Sequence, residues 1–247
     1  MNLLVCISKT PETTAKISFK DNNTAFNSDG VQYIMNPYDE WYALVRAVEL
    51  KEKLGAGKVT IINVGPPAND TVIRKGLAIG ADEAVRINLE PNSALNTAFQ
   101  IAEYAKANSF DVVFLGKETI DYNGAEVGAM VAEYLDMPFV SFGTKLEMNG
   151  NTATISRDIE GGEEVVEVAT PFVVSAAKGI AEQRIPNMRG IMMAKKKPLT
   201  VVEPAAFTEN VKIVSYSLPE EKGSVKLIDP ENMDELVRLL HEEAKII

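Results

Sequence analysis

Residues 112–135, VVFLGKETIDYNGAEVGAMVAEYL, contain the pattern that decides the fold. Residues 112–115 form a short apolar run typical of a buried parallel strand, and apolar residues recur at helical spacing from Val127 onward. The loop between them carries the small or polar residues Gly116, Asp121, Asn123 and Gly124. Such a loop permits tight turns and leaves free backbone amides at the start of the next helix, where a phosphate group binds well. The stretch predicts a strand, a phosphate-binding loop and a helix, although an ordinary strand-to-helix connection has the same pattern.

Strands and helices alternate on the N-terminal side of this stretch. Apolar runs at residues 3–7, 59–64 and 84–87 predict three more strands. Helical patterns lie between them, from about residue 39 to Gly55, over residues 70–79 and over residues 93–107. This alternation predicts an α/β fold with a doubly wound, mostly parallel, Rossmann-like sheet. Ligands of such sheets bind beyond the carboxyl ends of the strands, so the loops there are the candidate site.

The first long helix has a marked start. Asn36 and Pro37 precede it, and the acids Asp39 and Glu40 lie in its first turn, where the helix dipole favours negative charge. We therefore predict that Asn36 supplies a capping side chain and that Pro37 lies in the first turn.

The second half of the chain has a different pattern. The sequence predicts short strands and hairpins that add antiparallel to the edge of the sheet, at residues 144–148, 152–157, 165–168 and 172–175. Near the N-terminus, it also predicts a small antiparallel pair of strands before the first helix, at residues 16–19 and 31–35. In residues 178–193 the apolar side chains recur at neither helical nor strand spacing, which predicts a partly exposed loop. Residues 204–229 predict an extended arm, followed by a helix that Asp229 caps. Its apolar stripe must lie on its own domain or on another chain, and the length of the arm favours another chain.

Composition narrows the function. The chain has 247 residues, a net charge of -10 and one cysteine, Cys6. A chain with this negative charge is unsuited to binding nucleic acid, because contacts with phosphates need clustered lysine and arginine. A single cysteine cannot form an internal disulfide, which indicates a reducing compartment. The N-terminal residues contain no basic leader and too short an apolar run for a bilayer, so we expect a cytoplasmic protein without membrane insertion.

Several kinds of chemistry have no support in the sequence. Dinucleotide fingerprints, P-loops and zinc motifs are absent, and the single histidine, His241, lies beside two glutamates in the terminal helix. No pair of carboxylates is set apart by an apolar neighbourhood that would raise the pKa of one of them for acid/base work. We therefore predict no catalytic residue and no metal site, and a site of backbone amides and short polar side chains that binds a ligand.

Five short motifs in order carry a family resemblance. They are MNPYDE at residues 35–40, LAIGAD at 77–82, LGKETID at 115–121 with Val127 and Gly128, RDIEGG at 157–162, and GIMMAKKK at 190–197. Together they resemble the β subunit of electron transfer flavoprotein. The resemblance covers residues 1 to about 200 and extends to the chain length.

The resemblance implies a heterodimer whose α subunit holds the redox-active FAD, while this chain binds AMP structurally. It implies a nucleotide pocket formed by Cys6, Asn36, Pro37, Tyr38, Asp39, Val64, Gly116, Thr119, Asp121, Tyr122, Asn123, Gly124, Ala125, Glu126 and Val127. An electron-bifurcating member would hold a second FAD in the same pocket. A stand-alone adenine-nucleotide-binding regulatory module is the alternative from another class. This chain departs from the family at Glu126, where glutamine is common, and at Tyr122, where a small or acidic residue is usual.

The resemblance also implies two interaction regions. Residues 182–194 are similar to a recognition loop that docks acyl-CoA or other dehydrogenases, and its docking residues would be Ile185, Pro186, Met188 and Arg189. Electrons would pass from the dehydrogenase through FAD to a downstream acceptor. Residues 1–200 would form the nucleotide-binding domain, and residues 201–247 an arm and helix that pack on the α subunit.

Overall fold

A nine-stranded sheet lies at the centre of the part of the chain that the computed structural model describes, residues 1–221 and 223–247. Lys222, inside the predicted arm, lies outside the described residues. The strands are β1 (Asn2–Cys6), β2 (Lys9–Pro11), β3 (Phe19–Lys20), β4 (Ala25–Phe26), β5 (Tyr33–Met35), β6 (Lys58–Val64), β7 (Glu83–Ile87), β8 (Val112–Gly116), β9 (Phe139–Asn149), β10 (Thr152–Ile159), β11 (Gly162–Ala169), β12 (Phe172–Ala176) and β13 (Leu199–Val202). The helices are α1 (Asp39–Leu54), α2 (Asp70–Ile79), α3 (Ala94–Asn108), α4 (Val127–Leu135), α5 (Met188–Ala194) and α6 (Met233–Arg238).

The sheet confirms the predicted α/β fold. Its strand order is β11-β10-β9-β12-β8-β1-β6-β7-β13, and every neighbouring pair from β9 to β13 in this order is parallel. Helices α1 and α2 contribute to one apolar core, while α3 and α4 contribute to a second core on the opposite face. The apolar runs of β1 and β8 are buried because helices cover both faces of the sheet.

Helix α1 has the predicted core face and end. Trp41, Leu44, Val45 and Val48 are buried, in agreement with their helical spacing. The helix ends at Leu54, and Gly55 follows in the left-handed conformation with φ of 66°, which glycine adopts without steric cost. Helix α2 covers residues 70–79, as predicted.

The prediction for residues 172–175 was wrong. This run is strand β12, which pairs in parallel with β8 and with the first part of β9, in the interior of the sheet. All five of its residues are buried, since helices α1 and α4 pack on its two faces. The antiparallel addition consists of β9, β10 and β11 alone.

Two other local predictions need correction. Residues 33–35 pair with residues 9–11 in a two-stranded sheet, while β3 and β4 form a separate hairpin. Residues 188–194, predicted as loop, form the short helix α5, because Asn187 accepts a hydrogen bond from the Gly190 amide at 2.8 Å and thereby caps a helix.

The C-terminal region begins inside the sheet. Strand β13, which the sequence analysis missed, pairs in parallel with β7 at the sheet edge. Residues 203–221 then have no regular structure, in agreement with an arm. The terminal helix is capped by Asn232 instead of Asp229: Asn232 accepts from the Glu235 amide, whereas Asp229 accepts from the Glu231 amide in the turn before it. No residue of α6 is buried. The division at residue 200 stays a prediction.

Candidate functional site

The sheet opens a crevice between the carboxyl ends of β1 and β8. These neighbouring strands are followed by α1 and α4, which lie on opposite faces of the sheet. Ligands of doubly wound sheets bind at such a switch point. The predicted residues Cys6 and Gly116 are the last residues of β1 and β8, so the crevice separates the two halves of the predicted pocket. Val64 ends the neighbouring strand β6.

Asn36 joins the loops on the two sides of the crevice. Its side-chain amide donates to the Glu118 carbonyl at 3.0 Å, and its side-chain oxygen accepts from the Ile120 amide at 3.0 Å. Its backbone amide donates to the Ser8 carbonyl at 3.0 Å. The prediction that Asn36 caps α1 was therefore wrong, because this fully buried side chain satisfies the backbone of a loop more than eighty residues away.

Tyr38 occupies the capping position of α1 instead, so Pro37 lies before the helix and the prediction that it is in the first turn was wrong. Its backbone is strained, with φ of 62° and ψ of -102°, and its carbonyl accepts from the Tyr42 amide at 2.8 Å. No side chain of the described residues caps this helix. Residues in such sparsely populated backbone conformations cluster at ligand sites. Tyr38 is exposed and lines the crevice pocket.

Glu40 is one of the residues at this site that the sequence analysis did not single out. Its carboxylate accepts from the Ser8 amide and from the Ser8 hydroxyl, both at 2.6 Å, and only 7% of the residue is exposed. Burial raises its pKa to about 8, and the negative charges of Asp121 and Asp39 act in the same direction, while the hydrogen bonds from Ser8 oppose them. The sequence analysis expected no pair of carboxylates in which apolar surroundings raise one pKa, and the raised pKa of Glu40 beside Asp39 corrects that expectation. From the sequence, Glu40 is recognisable only as an acidic residue in the first turn of α1, because its burial depends on strands that are distant along the chain.

Gly116 allows α1 to approach β8. A Cβ atom at this position would lie 2.7 Å from Glu40 Cγ and 2.8 Å from the Glu40 backbone nitrogen. The same packing encloses Cys6, whose thiol pKa is raised well above its usual value by burial and by the nearby charge of Glu40. Cys6 is therefore a neutral wall of the site instead of a nucleophile.

The loop from residue 117 to residue 126 has a turn geometry that suits an anion. Asn123 and Ala125 have φ of 51° and 52°, and the Asn123 amide donates to the Thr119 carbonyl at 2.9 Å. Left-handed residues in turns direct neighbouring amides into concave surfaces that bind anions. Helix α4 begins at Val127, and no described side chain caps it, so the amides of its first turn are available to a ligand.

The structure brings part of the predicted set into one pocket and adds residues to it. Pro37, Tyr38, Asp39 and Asn123 share a pocket of about 250 Å³ with Tyr42, Lys117, Glu118, Ile120 and Lys178. Burial raises the pKa of Asp39, and the charge of Lys117 opposes the shift. Lys178 lies two residues beyond Ala176, the last residue of β12, which is the partner of Gly116 in the sheet register. The sequence signal for Lys178 was its place after an apolar run, and it was missed because that run was assigned to an antiparallel strand.

The predicted docking residues form an exposed surface beside α1 and α2. Ile185 is 81% exposed and Met188 is 74% exposed, and Arg189 is exposed beside them. Pro186 is partly buried and lines a groove of about 340 Å³ between this loop and the end of α2. Exposed apolar side chains grouped in this way are typical of a protein-binding surface.

The base of this loop is held firmly. Arg184 forms two hydrogen bonds of 2.9 Å with the Glu52 carboxylate, and its carbonyl accepts from the Trp41 indole at 3.1 Å. Arg74 donates to the carbonyls of Ala194 and Lys197 at 2.8 Å and 2.6 Å. These hydrogen bonds hold the two ends of the loop in place, so that the exposed side chains of Ile185 and Met188 project from a fixed part of the backbone.

The described residues contain neither a membrane-spanning helix nor a cluster of metal-binding side chains. None of their helices is long and apolar enough to cross a membrane. Within the same residues, no group of three or more histidine, cysteine, aspartate or glutamate side chains is arranged to hold a metal ion.

Comparison with known proteins gives one consistent result. A family model described as Electron transfer flavoprotein domain matches residues 24–207. The chain is 37% identical to the Electron transfer flavoprotein subunit beta of Bacillus subtilis (strain 168) over 261 residues, with 100% of both chains covered. It is 36% identical to the protein of that name from Syntrophomonas wolfei subsp. wolfei (strain DSM 2245B / Goettingen) over 231 residues, which cover 93% of this chain and 90% of the relative. The human protein of that name is 32% identical over 256 residues, which cover 100% of this chain and 99% of the relative.

Proposed function

This chain belongs to the electron transfer flavoprotein family as a β subunit, and from that premise we propose that it binds AMP structurally in the crevice between β1 and β8. The observation that carries the proposal is the arrangement of the crevice itself. A switch point, a turn with two left-handed residues and an uncapped start of α4 lie together at one edge of the sheet.

The phosphate of AMP is assigned to the amides of the turn and of the first residues of α4. A negative charge at a helix start gains about 0.3 to 1 kcal/mol from the helix dipole. Lys117 and Lys178 line the neighbouring pocket and offset the charges of Asp121 and Glu126 in the same loop. A monophosphate suits these charges better than a longer phosphate chain, because each added negative charge would be repelled by the carboxylates of Asp121 and Glu126.

The proposal gives this chain an auxiliary role in electron transfer. FAD held mainly by the α subunit would supply the redox chemistry of the complex. This chain would hold AMP through the crevice residues, would receive the α subunit along the arm and α6, and would dock dehydrogenases, such as acyl-CoA dehydrogenases, at Ile185 and Met188 before electrons reach a downstream acceptor. The proposal places the complex in the cytoplasm, where the buried thiol of Cys6 stays reduced.

The nucleotide content of the complex tests the proposal. The chain is co-expressed with its α subunit, the complex is purified and denatured, and FAD and AMP in the supernatant are separated and counted. We expect one FAD and one AMP per heterodimer. A content of two FAD and no AMP would mean that a second flavin occupies the crevice in place of AMP, as in an electron-bifurcating member. The absence of both nucleotides would refute the proposed site.

Replacing the loop tip tests the docking role. Met188→Ala is expected to raise the KM for the dehydrogenase roughly tenfold without loss of bound flavin, because burial of a methionine side chain gains about 1.5 to 3 kcal/mol. Val165→Ala removes another exposed apolar side chain from β11, at the far edge of the sheet, and serves as the control. Equal kinetics for the two variants would refute docking through Met188.

A further inference from the structure

Strand β1 leaves the sheet before its neighbour β6 ends. The Ile7 amide donates to the Ile62 carbonyl at 3.0 Å, just after the last register pair of the two strands. In a regular parallel ladder the next bond would run from the Val64 amide to the Ile7 carbonyl. The described residues do not form that bond, and the Ile7 carbonyl accepts instead from the side-chain amide of Asn63 at 2.8 Å.

The Val64 amide therefore lies unpaired at the end of β1. Strand β7, on the other side of β6, does not use it, because the Gly65 amide donates to the Ile87 carbonyl at 3.0 Å and backbone groups alternate in direction along a strand. The same alternation directs the Val64 carbonyl toward β1. Val64 thus presents a donor and an acceptor beyond the carboxyl end of β1, on the side of the sheet edge where Cys6 and the crevice lie.

Polar side chains hold β1 in this departure from the sheet. Asn63 is 2% exposed, and its side-chain oxygen accepts from the Asn69 side-chain amide at 2.9 Å, so both ends of the Asn63 amide group are bonded. Ser8, the residue after Ile7, is bonded to the Glu40 carboxylate through its amide and its hydroxyl. Two successive residues are therefore fixed by side chains from β6 and α1 instead of by the sheet ladder.

The asparagine pair is an unusual feature of a core strand. Val59 and Ile61, which alternate with Asn63 along β6, belong to the apolar core. Gly65 is required beside the pair, since a Cβ atom there would lie 1.9 Å from Asn69 Nδ2 and 2.9 Å from Asn63 Oδ1. The side-chain oxygen of Asn69 is buried and has no partner in the part of the chain that the structure describes, which is unfavourable. A polar pair retained at such a cost points to a role beyond packing.

We propose that Asn63 is a positioning residue of the nucleotide site, which keeps the Ile7 carbonyl away from the Val64 amide so that the Val64 backbone selects adenine over hypoxanthine. This inference rests on the proposed function, because it requires a nucleotide in the crevice. Adenine has an acceptor at N1 and a donor at its 6-amino group, which match the amide and the carbonyl of one residue. Hypoxanthine has a hydrogen at N1 and an oxygen at C6, so both of its groups oppose Val64. A site that bonds one pattern rejects the other.

Competition between AMP and IMP tests the inference in the complex with the α subunit. The complex is unfolded in guanidinium chloride, freed of nucleotide and refolded with FAD and equal concentrations of AMP and IMP, and the bound nucleotides are counted. We expect wild type to retain AMP over IMP by roughly tenfold or more, since two hydrogen bonds distinguish the bases.

Two variants and a control locate the origin of this preference. Asn63→Leu keeps the size of the side chain but frees the Ile7 carbonyl to pair with Val64, and is expected to lower the ratio of bound AMP to IMP roughly fivefold or more. Asn69→Ala removes the group that holds Asn63 and is expected to lower the ratio less. Asn88→Ala, the control, removes another asparagine that accepts a hydrogen bond of 2.8 Å, at the end of β7, and should leave the ratio unchanged.

Each outcome decides the inference. A preference for AMP that falls in Asn63→Leu and persists in Asn88→Ala supports it. Equal binding of AMP and IMP by wild type overturns it and leaves the proposed nucleotide site intact, whereas a refolded wild-type complex that holds neither nucleotide overturns both. An unchanged ratio in Asn63→Leu, or in Asn69→Ala if Asn63→Leu does not refold, overturns the role of Asn63. An equal fall in Asn88→Ala overturns it as well, because general loosening of the strand ends would then explain the effect.

Discussion

Replacing Glu40 with glutamine should change how the stability of this protein depends on pH. In the folded protein, burial raises the pKa of Glu40 from 4.5 to about 8. In the unfolded chain the same carboxyl is solvated and loses its proton near its ordinary pKa. Between these two values the folded protein holds a proton that the unfolded chain has released.

The sign and size of the effect follow from this difference. Stability that comes from the protonated form is fully present below pH 4.5 and is lost as the pH rises toward 8, by about 1.4 kcal/mol for each pH unit. The total is on the order of 4 to 5 kcal/mol over the whole range. The glutamine of the variant has no proton to lose, and its carbonyl oxygen can still accept from the Ser8 amide.

Urea denaturation measures the effect. The free energy of unfolding is determined for wild type and for Glu40→Gln at half-unit steps from pH 5 to pH 8.5. We expect the variant to gain on wild type by roughly 3 kcal/mol between pH 5.5 and pH 7.5. Glu133→Gln removes an exposed carboxylate from α4 and serves as the control for a change in surface charge.

A constant difference between the two proteins over this pH range would refute the reasoning. It would mean that Glu40 is ionised in the folded state, with the two hydrogen bonds from Ser8 and the start of α1 stabilising its charge against burial. A difference that grows toward low pH would refute it as well, because that sign belongs to a carboxyl with a lowered pKa.

Three other substitutions have clear expected outcomes. Gly116→Ala places a Cβ atom against the Glu40 backbone and should reduce the free energy of unfolding in urea by about 1 to 3 kcal/mol; unchanged stability would contradict the close approach of α1. Asn36→Ala leaves a carbonyl and an amide of the 118–120 loop unpaired and should cost about 1 to 3 kcal/mol, together with faster hydrogen exchange at the Ile120 amide. Ala125→Gly relieves a left-handed alanine and should raise stability by roughly 0.5 to 1 kcal/mol in thermal denaturation; a loss would contradict the strained backbone.

The parallel core of the fold could be predicted from the sequence, because its signals are local. The runs at β1, β6 and β8 are continuous and apolar, and the helices between them have clear core faces and glycine ends. Strand β12 has the same kind of run and is buried along its whole length. It was misassigned because hairpins precede it, although its continuous burial pattern is the one that distinguishes an interior strand from an edge strand.

Other features depend on contacts between distant residues. Asn36 has a residue type and position that suit a helix cap, yet its partners lie in the loop after β8. The burial of Glu40 depends on Gly116 and Ser8, which belong to two separate segments of the chain. The contact of Tyr216 with Phe19 joins segments almost two hundred residues apart. No local pattern carries this information, so these roles emerge only when the chain is folded.

The place of β12 in the sheet has a consequence for synthesis of the chain. Strand β8 leaves the ribosome more than fifty residues before β12, its neighbour on the side away from β1. During that interval the outer edge of β8 carries unpaired backbone groups, and the β9–β11 hairpins have no parallel strand to join, since β9 pairs with β12. Such open edges favour aggregation of nascent chains. The outer edge of β7 also stays unpaired until β13 is synthesised. We therefore expect truncated chains to escape aggregation only when they extend through Val202.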